Sequence, residues 1–101
     1  MNFRKTFEIE RENIDRITTF FRAEGYKLES SLPNHYTFTR GSAWIVPFKS
    51  NIKSFPTRVE VILTESEVNT VQVLVMYDID TMGMVIPPSQ QDTIRAELNR
   101  L

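Results

Sequence analysis

Two long stretches of alternating apolar and polar residues constrain this chain more than any other feature of its sequence. Apolar side chains occupy every second position in residues 57–64 and again in residues 70–79. A repeat of two residues is typical of a strand that buries one of its faces. Because the connection between the two stretches, residues 65–69, is short and polar, the pair predicts a long antiparallel hairpin.

Three further strands follow from the same pattern. Residues 3–9 alternate between apolar and polar side chains. A shorter run begins with Tyr26 and Leu28 and stops in the turn-forming residues 30–34. Because residues 35–40 alternate again directly after this turn, we predict a second hairpin.

Two segments have the spacing of amphipathic helices. In residues 11–24 the apolar positions lie three and four apart, and Gly25 follows as a residue that commonly ends a helix. No Ser, Thr or Asp lies just ahead of this segment, so a later start capped by Asn13 is an alternative. After residues 80–88, Ser89 is the predicted N-cap of a second helix, with Asp92 in the capping-box position. An apolar stripe on this second helix is expected to face the core and consists of Ile94, Leu98 and Leu101.

The order of these elements predicts the fold class. The chain reads strand, helix, four strands, helix, and the connections between the four middle strands are too short for parallel crossovers. We therefore expect an α+β domain with an antiparallel sheet of about five strands and both helices packed on one face. A chain of 101 residues is long enough for one such core, so residues 1–101 are predicted to form a single soluble domain.

Residues 41–56 fit neither period and hold the candidate binding residues. This connection carries six large apolar side chains and is interrupted by Pro47 and Pro56, and leaving those side chains in water would be costly. Three interpretations stay open: it covers the core, it forms a lid over an apolar cavity, or it contacts a partner. The aromatic and cationic residues predicted to bind are Trp44, Phe48, Phe55, Arg40 and Lys49.

Cations mixed with aromatic residues are also typical of proteins that bind single-stranded nucleic acids. The net charge of −1 and the isoelectric point near 5.8 argue against that class, because nucleic-acid-binding domains are generally basic. If this loop binds rather than only covers the core, its occupant is expected to be a protein partner, a second copy of the chain or a small hydrophobic ligand.

Nothing in the sequence predicts a catalytic site, a metal site or a cofactor. The chain has one histidine, His35, and no cysteine, and none of its serines lies in a nucleophile motif. Asp78 and Asp80 are interpreted as solvated charges at a strand end, and Met82 and Met84 as residues that fill gaps in the core.

The N-terminus lacks the apolar core of a signal peptide, and the longest apolar run, residues 73–77, is too short to span a bilayer. Together with the absence of cysteine, these features predict a cytoplasmic protein without a transmembrane segment.

Residues 36–42, Tyr-Thr-Phe-Thr-Arg-Gly-Ser, are followed by Trp44 and by the paired strands around residues 59–61 and 73–79. In this the chain resembles small uncharacterised bacterial domains in which a strand ending in Arg-Gly-Ser leads through a variable loop into a hairpin and a closing helix. The resemblance covers residues 36–101 and implies this order of strands, but no activity.

Two classes of function remain. The first is a non-catalytic module for protein interaction or self-assembly, which uses the loop of residues 43–56 or an open edge of the sheet. The second is a binder of a small hydrophobic ligand, in which the sheet wraps the C-terminal helix and Trp44 and Phe48 stand at the mouth of a cavity.

Overall fold

The computed structural model describes residues 1–42 and 51–101 and has the predicted α+β architecture. Short 3-10 turns precede α1 and β4. The elements are β1 (Asn2–Glu10), α1 (Asp15–Ala23), β2 (Lys27–Leu32), β3 (His35–Arg40), β4 (Thr57–Glu67), β5 (Thr70–Ile79) and α2 (Pro88–Arg100).

The five strands form one open sheet in the order β1-β5-β4-β3-β2, with every neighbouring pair antiparallel. The predicted hairpin of β4 and β5 lies near the centre of this sheet, and the hairpin of β2 and β3 extends it on one side. The N-terminal strand β1 pairs with β5 on the other side. As a result, β1 and β2 are the two edges.

The register separates the sheet into a buried face and an uncovered face. Phe3, Tyr77, Val59 and Phe38 lie in one row across the four strands from β1 to β3. Phe21 of α1 stacks on Phe38 with ring centroids 4.8 Å apart. Residues of α2 contact the same row through Tyr77, so both helices lie on one face of the sheet, as predicted.

The helix α1 starts later than residue 11, one residue beyond the start that a cap at Asn13 would give, and its end agrees with the prediction. Residues 11–13 form a 3-10 turn, and the α-helix begins only at Asp15 without a side-chain cap. Gly25 has a φ of +91°, and its N–H donates to the carbonyl of Arg22 while that of Tyr26 donates to Phe21. These bonds satisfy two of the last carbonyl groups of the helix.

The predicted cap of α2 is wrong. Pro88 is the first helical residue and Pro87 is the N-cap, so Ser89 lies inside the helix. Proline suits this position because its ring presets the helical φ and it has no N–H group to be capped. Asp92 does not complete a capping box and instead accepts a hydrogen bond from Arg95 at 3.0 Å.

The edge strand β2 is longer than predicted, because it continues to Leu32 and leaves only Pro33 and Asn34 in the turn. Asn34 adopts the left-handed conformation at a φ of +63°, which asparagine tolerates in tight turns. A register shift between Leu28 and Ser30 makes β2 irregular.

Candidate functional site

The predicted binding residues divide into two groups. Trp44, Phe48 and Lys49 lie outside the described residues. Arg40 and Phe55 are described, and both are buried: the side chain of Arg40 is 8% exposed and Phe55 is 2% exposed.

Residues 51–56 cover part of the core, which is one of the three interpretations of this loop. Ile52 is fully buried, and its backbone N–H donates to the side-chain oxygen of Gln90 on α2 at 3.0 Å. Phe55 joins the same hydrophobic core. The described part of the loop thus fastens the end of the sheet to the start of α2.

Gly41 is required where this loop leaves β3. It has a φ of +84°, and a Cβ atom added to it would lie 2.0 Å from the carbonyl oxygen of Phe55. The N–H of Ser42 donates to the carbonyl of Ser54 at 3.1 Å, so the two ends of the loop are held against each other. Only glycine permits such a close approach in this conformation.

A buried carboxylate is the most unusual feature of the described core. Glu97 of α2 is fully buried, and its Oε2 accepts hydrogen bonds from the hydroxyls of Tyr26 and Tyr77, each at 2.8 Å. Its Oε1 accepts a hydrogen bond from Nη1 of Arg40 at 2.6 Å. We call these four residues the Glu97 cluster. Burying a carboxylate is costly unless it is paired and hydrogen-bonded, and these three donors meet that need.

Arg40 connects the cluster to α1. Its Nη1 also donates to the backbone carbonyl of Glu24, the C-cap of α1, at 2.9 Å. Its guanidinium carbon lies 4.1 Å from the centroid of the Tyr26 ring, within the range of a cation–π contact. The Nε and Nη2 atoms of Arg40 are buried and have no hydrogen-bond partner among the described residues.

The two tyrosines in the cluster keep their protons. Burial raises the pKa of both Tyr26 and Tyr77 well above that of a free tyrosine, and the negative charge of Glu97 acts in the same direction. For Tyr26, the charge of Arg40 lowers the pKa and partly opposes this effect. Both hydroxyls therefore stay donors to Glu97 at neutral pH, and the cluster joins α2 to the sheet.

A second group of charges lies at the outer side of the cluster, where the helices end. Glu24 accepts a hydrogen bond from Nη2 of Arg100 at 2.8 Å, and Nζ of Lys53 lies 3.7 Å from its other oxygen. The bond from Arg100 lowers the pKa of Glu24. Because these side chains are partly exposed, the pairs contribute little to stability individually.

Sequence patterns did not predict the Glu97 cluster. Glu97 follows Ile94 by three residues, so it lies on the same helix face as the predicted apolar stripe. This position was the one sequence signal that Glu97 is buried. Tyr26 and Tyr77 likewise lie on apolar faces of predicted strands. The pattern could not show that the two hydroxyls and Arg40 converge on one carboxylate.

The segment between β5 and α2 is exposed, contrary to the prediction that its methionines fill the core. Met82 and Met84 are 42% and 49% exposed, and Val85 is 94% exposed. Met82 has a φ of +55° and Gly83 one of +76°, so this segment turns outward between Ile79 and the prolines. We call residues 82–85 the exposed apolar segment.

The interior between the sheet and the helices is filled by large side chains, including Phe21, Phe38, Ile52 and Tyr77, all fully buried. Grooves lie elsewhere: one of about 430 Å³ opens on the uncovered face, and one of about 630 Å³ runs beside β1. The predicted cavity for a hydrophobic ligand stays a prediction, because its expected mouth lies outside the described residues.

The edge strand β1 presents a row of unpaired backbone groups. Met1 and Ile79 exchange two backbone hydrogen bonds of 2.9 Å, and the N–H of Arg11 donates to Asn69 at the other end. Odd-numbered residues of β1 therefore bond to β5. The N–H and C=O groups of its even-numbered residues point away from the sheet, and no described residue pairs with them.

Within residues 1–42 and 51–101, no group of three His, Asp or Glu side chains is arranged to hold a metal ion. Neither described helix has the length and apolar character needed to cross a bilayer. Comparison with protein-family models, curated proteins and solved structures gave no significant match. The resemblance to small bacterial domains stays a prediction, and function has to be inferred from the geometry.

Proposed function

We propose that this chain is a non-catalytic self-assembly module, a domain whose role is to bind a further copy of itself. The observation that carries this proposal is the free edge of β1, which runs for nine residues without a break in its pairing to β5. A long, regular edge is a template for another strand. A further strand would satisfy the outward N–H and C=O groups.

The opposite edge supports the choice of β1. The strand β2 has six residues, and its pairing to β3 is interrupted between Leu28 and Ser30. Short and irregular edge strands resist the addition of another strand. The two edges of this sheet thus differ in the feature that controls assembly.

The test is the molar mass in solution as a function of concentration. We expect the mass to rise from the 11.8 kDa of one chain towards twice that value as the concentration increases. Sedimentation equilibrium and light scattering measure this directly. A single-chain mass at every attainable concentration would overturn the proposed function.

A second surface, at the end of the sheet where β5 leads towards α2, has to be distinguished from the edge of β1. If residues 43–56 contact a partner, the exposed apolar segment would be part of the same interface. The reason is that both described flanks of residues 43–50 lie at the same end of the sheet as this segment. Changing Met82, Met84 and Val85 to serine together tests this surface. The control is Val68→Ser, which alters a residue 91% exposed in the turn between β4 and β5.

Under the proposal, the triple variant and the Val68→Ser control keep the same concentration dependence as the unmodified chain. A loss of assembly in the triple variant alone would move the interface to the exposed apolar segment. Trp44 gives a further measurement, because emission that changes with concentration reports an interface near residues 43–56.

A further inference from the structure

We propose that two copies of this chain pair through β1 in antiparallel orientation about a two-fold axis at Thr6, which joins two five-stranded sheets into one. This dimer depends on the proposed self-assembly, to which it adds the surface and the register. It rests on three properties of β1: the direction of its backbone groups, the order of its charges and the groove beside it.

The backbone groups limit the registers that are available. The outward N–H and C=O groups belong to even-numbered residues, and an antiparallel neighbour must place its own outward residues opposite them to exchange hydrogen bonds. A two-fold axis at Thr6 meets this condition over the whole strand. It sets Thr6 opposite Thr6, Arg4 opposite Glu8, and Asn2 opposite Glu10.

The charges of β1 complement each other in this register. Arg4, Thr6 and Glu8 lie on the uncovered face and are exposed. The two-fold axis places Arg4 of each copy directly across from Glu8 of the other, which gives two cross-strand ion pairs and a central pair of threonines. Opposite charges in facing positions stabilise an antiparallel pair, whereas like charges destabilise it.

The neighbouring registers are less favourable. An axis at Lys5 sets Arg4 opposite Thr6 and leaves both charges of the Arg4–Glu8 pair without their partners. An axis at Phe7 sets Arg4 opposite Glu10, but Asn2 and Phe3 then have no partner residue on the second strand. The register about Thr6 is the one that pairs all of β1.

Lys5 does not obstruct the added strand. An inward-pointing charge on an edge strand is one way in which proteins prevent edge-to-edge pairing. Here Nζ of Lys5 donates to the backbone carbonyl of Leu98 at 3.3 Å and lies 5.4 Å from the centroid of the Phe7 ring. The ammonium group is thus held at the C-terminal end of α2, where the helix dipole favours a cation.

The groove beside β1 offers the second copy a surface that is partly apolar and partly charged, because Glu10, Arg16 and Arg100 also line it. It has a volume of about 630 Å³ and lies on the helix-covered face, where its lining includes Phe7, Ile9 and Phe20. Phe3 is partly buried in the single chain. In the register about Thr6, Phe3 of the second copy stands opposite Ile9, at the side of this groove.

Charge exchange tests the register. Arg4→Glu and Glu8→Arg each place like charges in facing positions, and we expect each variant alone to dimerise at least about tenfold more weakly. An equimolar mixture of the two variants restores every ion pair and should regain the dimer mass. The double variant Arg4→Glu/Glu8→Arg should also dimerise as the unmodified chain does.

Glu10→Arg is the matched control, because Glu10 faces the uncharged Asn2 in this register. We expect it to leave the dimer in place. Weakening by Glu10→Arg, with no effect of Glu8→Arg, would overturn the register about Thr6.

Thr6→Pro tests the backbone contribution. The N–H of Thr6 points outward, so proline removes a hydrogen bond to the second copy and none to β5. We expect a folded chain, shown by an unchanged far-ultraviolet circular dichroism spectrum, with a single-chain mass.

The outcomes separate the two proposals. A dimer that persists unweakened in Arg4→Glu, Glu8→Arg and Thr6→Pro overturns pairing through β1, while self-assembly through another surface survives. A chain that is monomeric before any substitution overturns both.

Discussion

Arg40 at the end of β3 and Glu97 in α2 form an ion pair with an N–O distance of 2.6 Å, and the side chain of neither residue is more than 8% exposed. The pair joins elements that are far apart in the chain, because the two residues are separated by 57 positions. The packing of α2 on the sheet thus depends on a polar contact within a mostly apolar core.

Glu97→Gln tests the contribution of this contact. The substitution removes the negative charge and leaves Arg40 buried without its partner, which costs about 3 to 5 kcal/mol of unfolding free energy. Urea denaturation measures the loss. Asp92→Asn is the control, since it breaks an exposed pair with Arg95 on the same helix and should cost less than about 1 kcal/mol. Equal losses in the two variants would show that the buried pair has no special role.

The tyrosines of the Glu97 cluster predict a loss of stability in alkaline solution. Their pKa values are raised in the folded chain, so between the unfolded pKa near 10 and the folded pKa only the unfolded chain releases these protons. The contribution of the two tyrosines to the free energy of unfolding is fully present below about pH 10. Above it, stability falls by about 1.4 kcal/mol per pH unit for each tyrosine.

Tyr77→Phe should remove the contribution of one tyrosine, about 1.4 kcal/mol per pH unit, from the alkaline fall in unfolding free energy. Urea denaturation at a series of alkaline pH values measures this fall. Tyr26→Phe should have the same effect on the slope. An unchanged slope in both variants would mean that neither hydroxyl is protected from ionisation by the fold.

Gly41→Ala should destabilise the chain far more than Gly83→Ala. Both glycines have positive φ, so alanine adds a conformational cost of about 1 to 2 kcal/mol at either position. Only at Gly41 would the new methyl group also meet the backbone of Phe55, whereas nothing lies within 4 Å at Gly83. Thermal unfolding compares the two, and similar melting temperatures would contradict the close approach of the loop ends.

Leu98→Ala and Leu32→Ala form another matched pair. Leu98 is 6% exposed and belongs to the core, so its truncation should cost about 2 to 5 kcal/mol. Leu32 is 58% exposed at the end of β2, and its truncation should change stability by less than about 0.5 kcal/mol. Chemical denaturation of both variants checks the prediction, and a small loss at Leu98 would place its side chain outside the core.

Local patterns predicted the elements of the fold better than their ends. The alternation in β4 and β5 and the helical spacing from Ile14 to Phe21 each arise from one buried face, so a short window of sequence carries the signal. The starts of the two helices were less predictable, because neither helix begins with a side-chain cap that the sequence could reveal. Ser89 was predicted to be the N-cap, yet the N-cap of α2 is Pro87, two residues earlier.

The candidate site was predicted less completely than the fold. Arg40 was predicted to be a binding residue because it lies near aromatic residues in the sequence, but its ion-pair partner Glu97 belongs to a different pattern on α2. Met82 and Met84 were expected in the core because they are apolar, and their exposure follows from the outward turn of the chain at positive φ.

The sequence by itself determined which segments are strands and helices and that the strands run antiparallel, because periodicity and short connections act over a few neighbouring residues. Only the tertiary structure decided that β1 pairs with β5 and forms an edge, and that Tyr26, Tyr77 and Arg40 meet at Glu97. These contacts join residues up to 78 positions apart, and their free energy depends on how whole faces pack against each other. The outward backbone groups of β1, on which the proposed dimer depends, are a consequence of that packing.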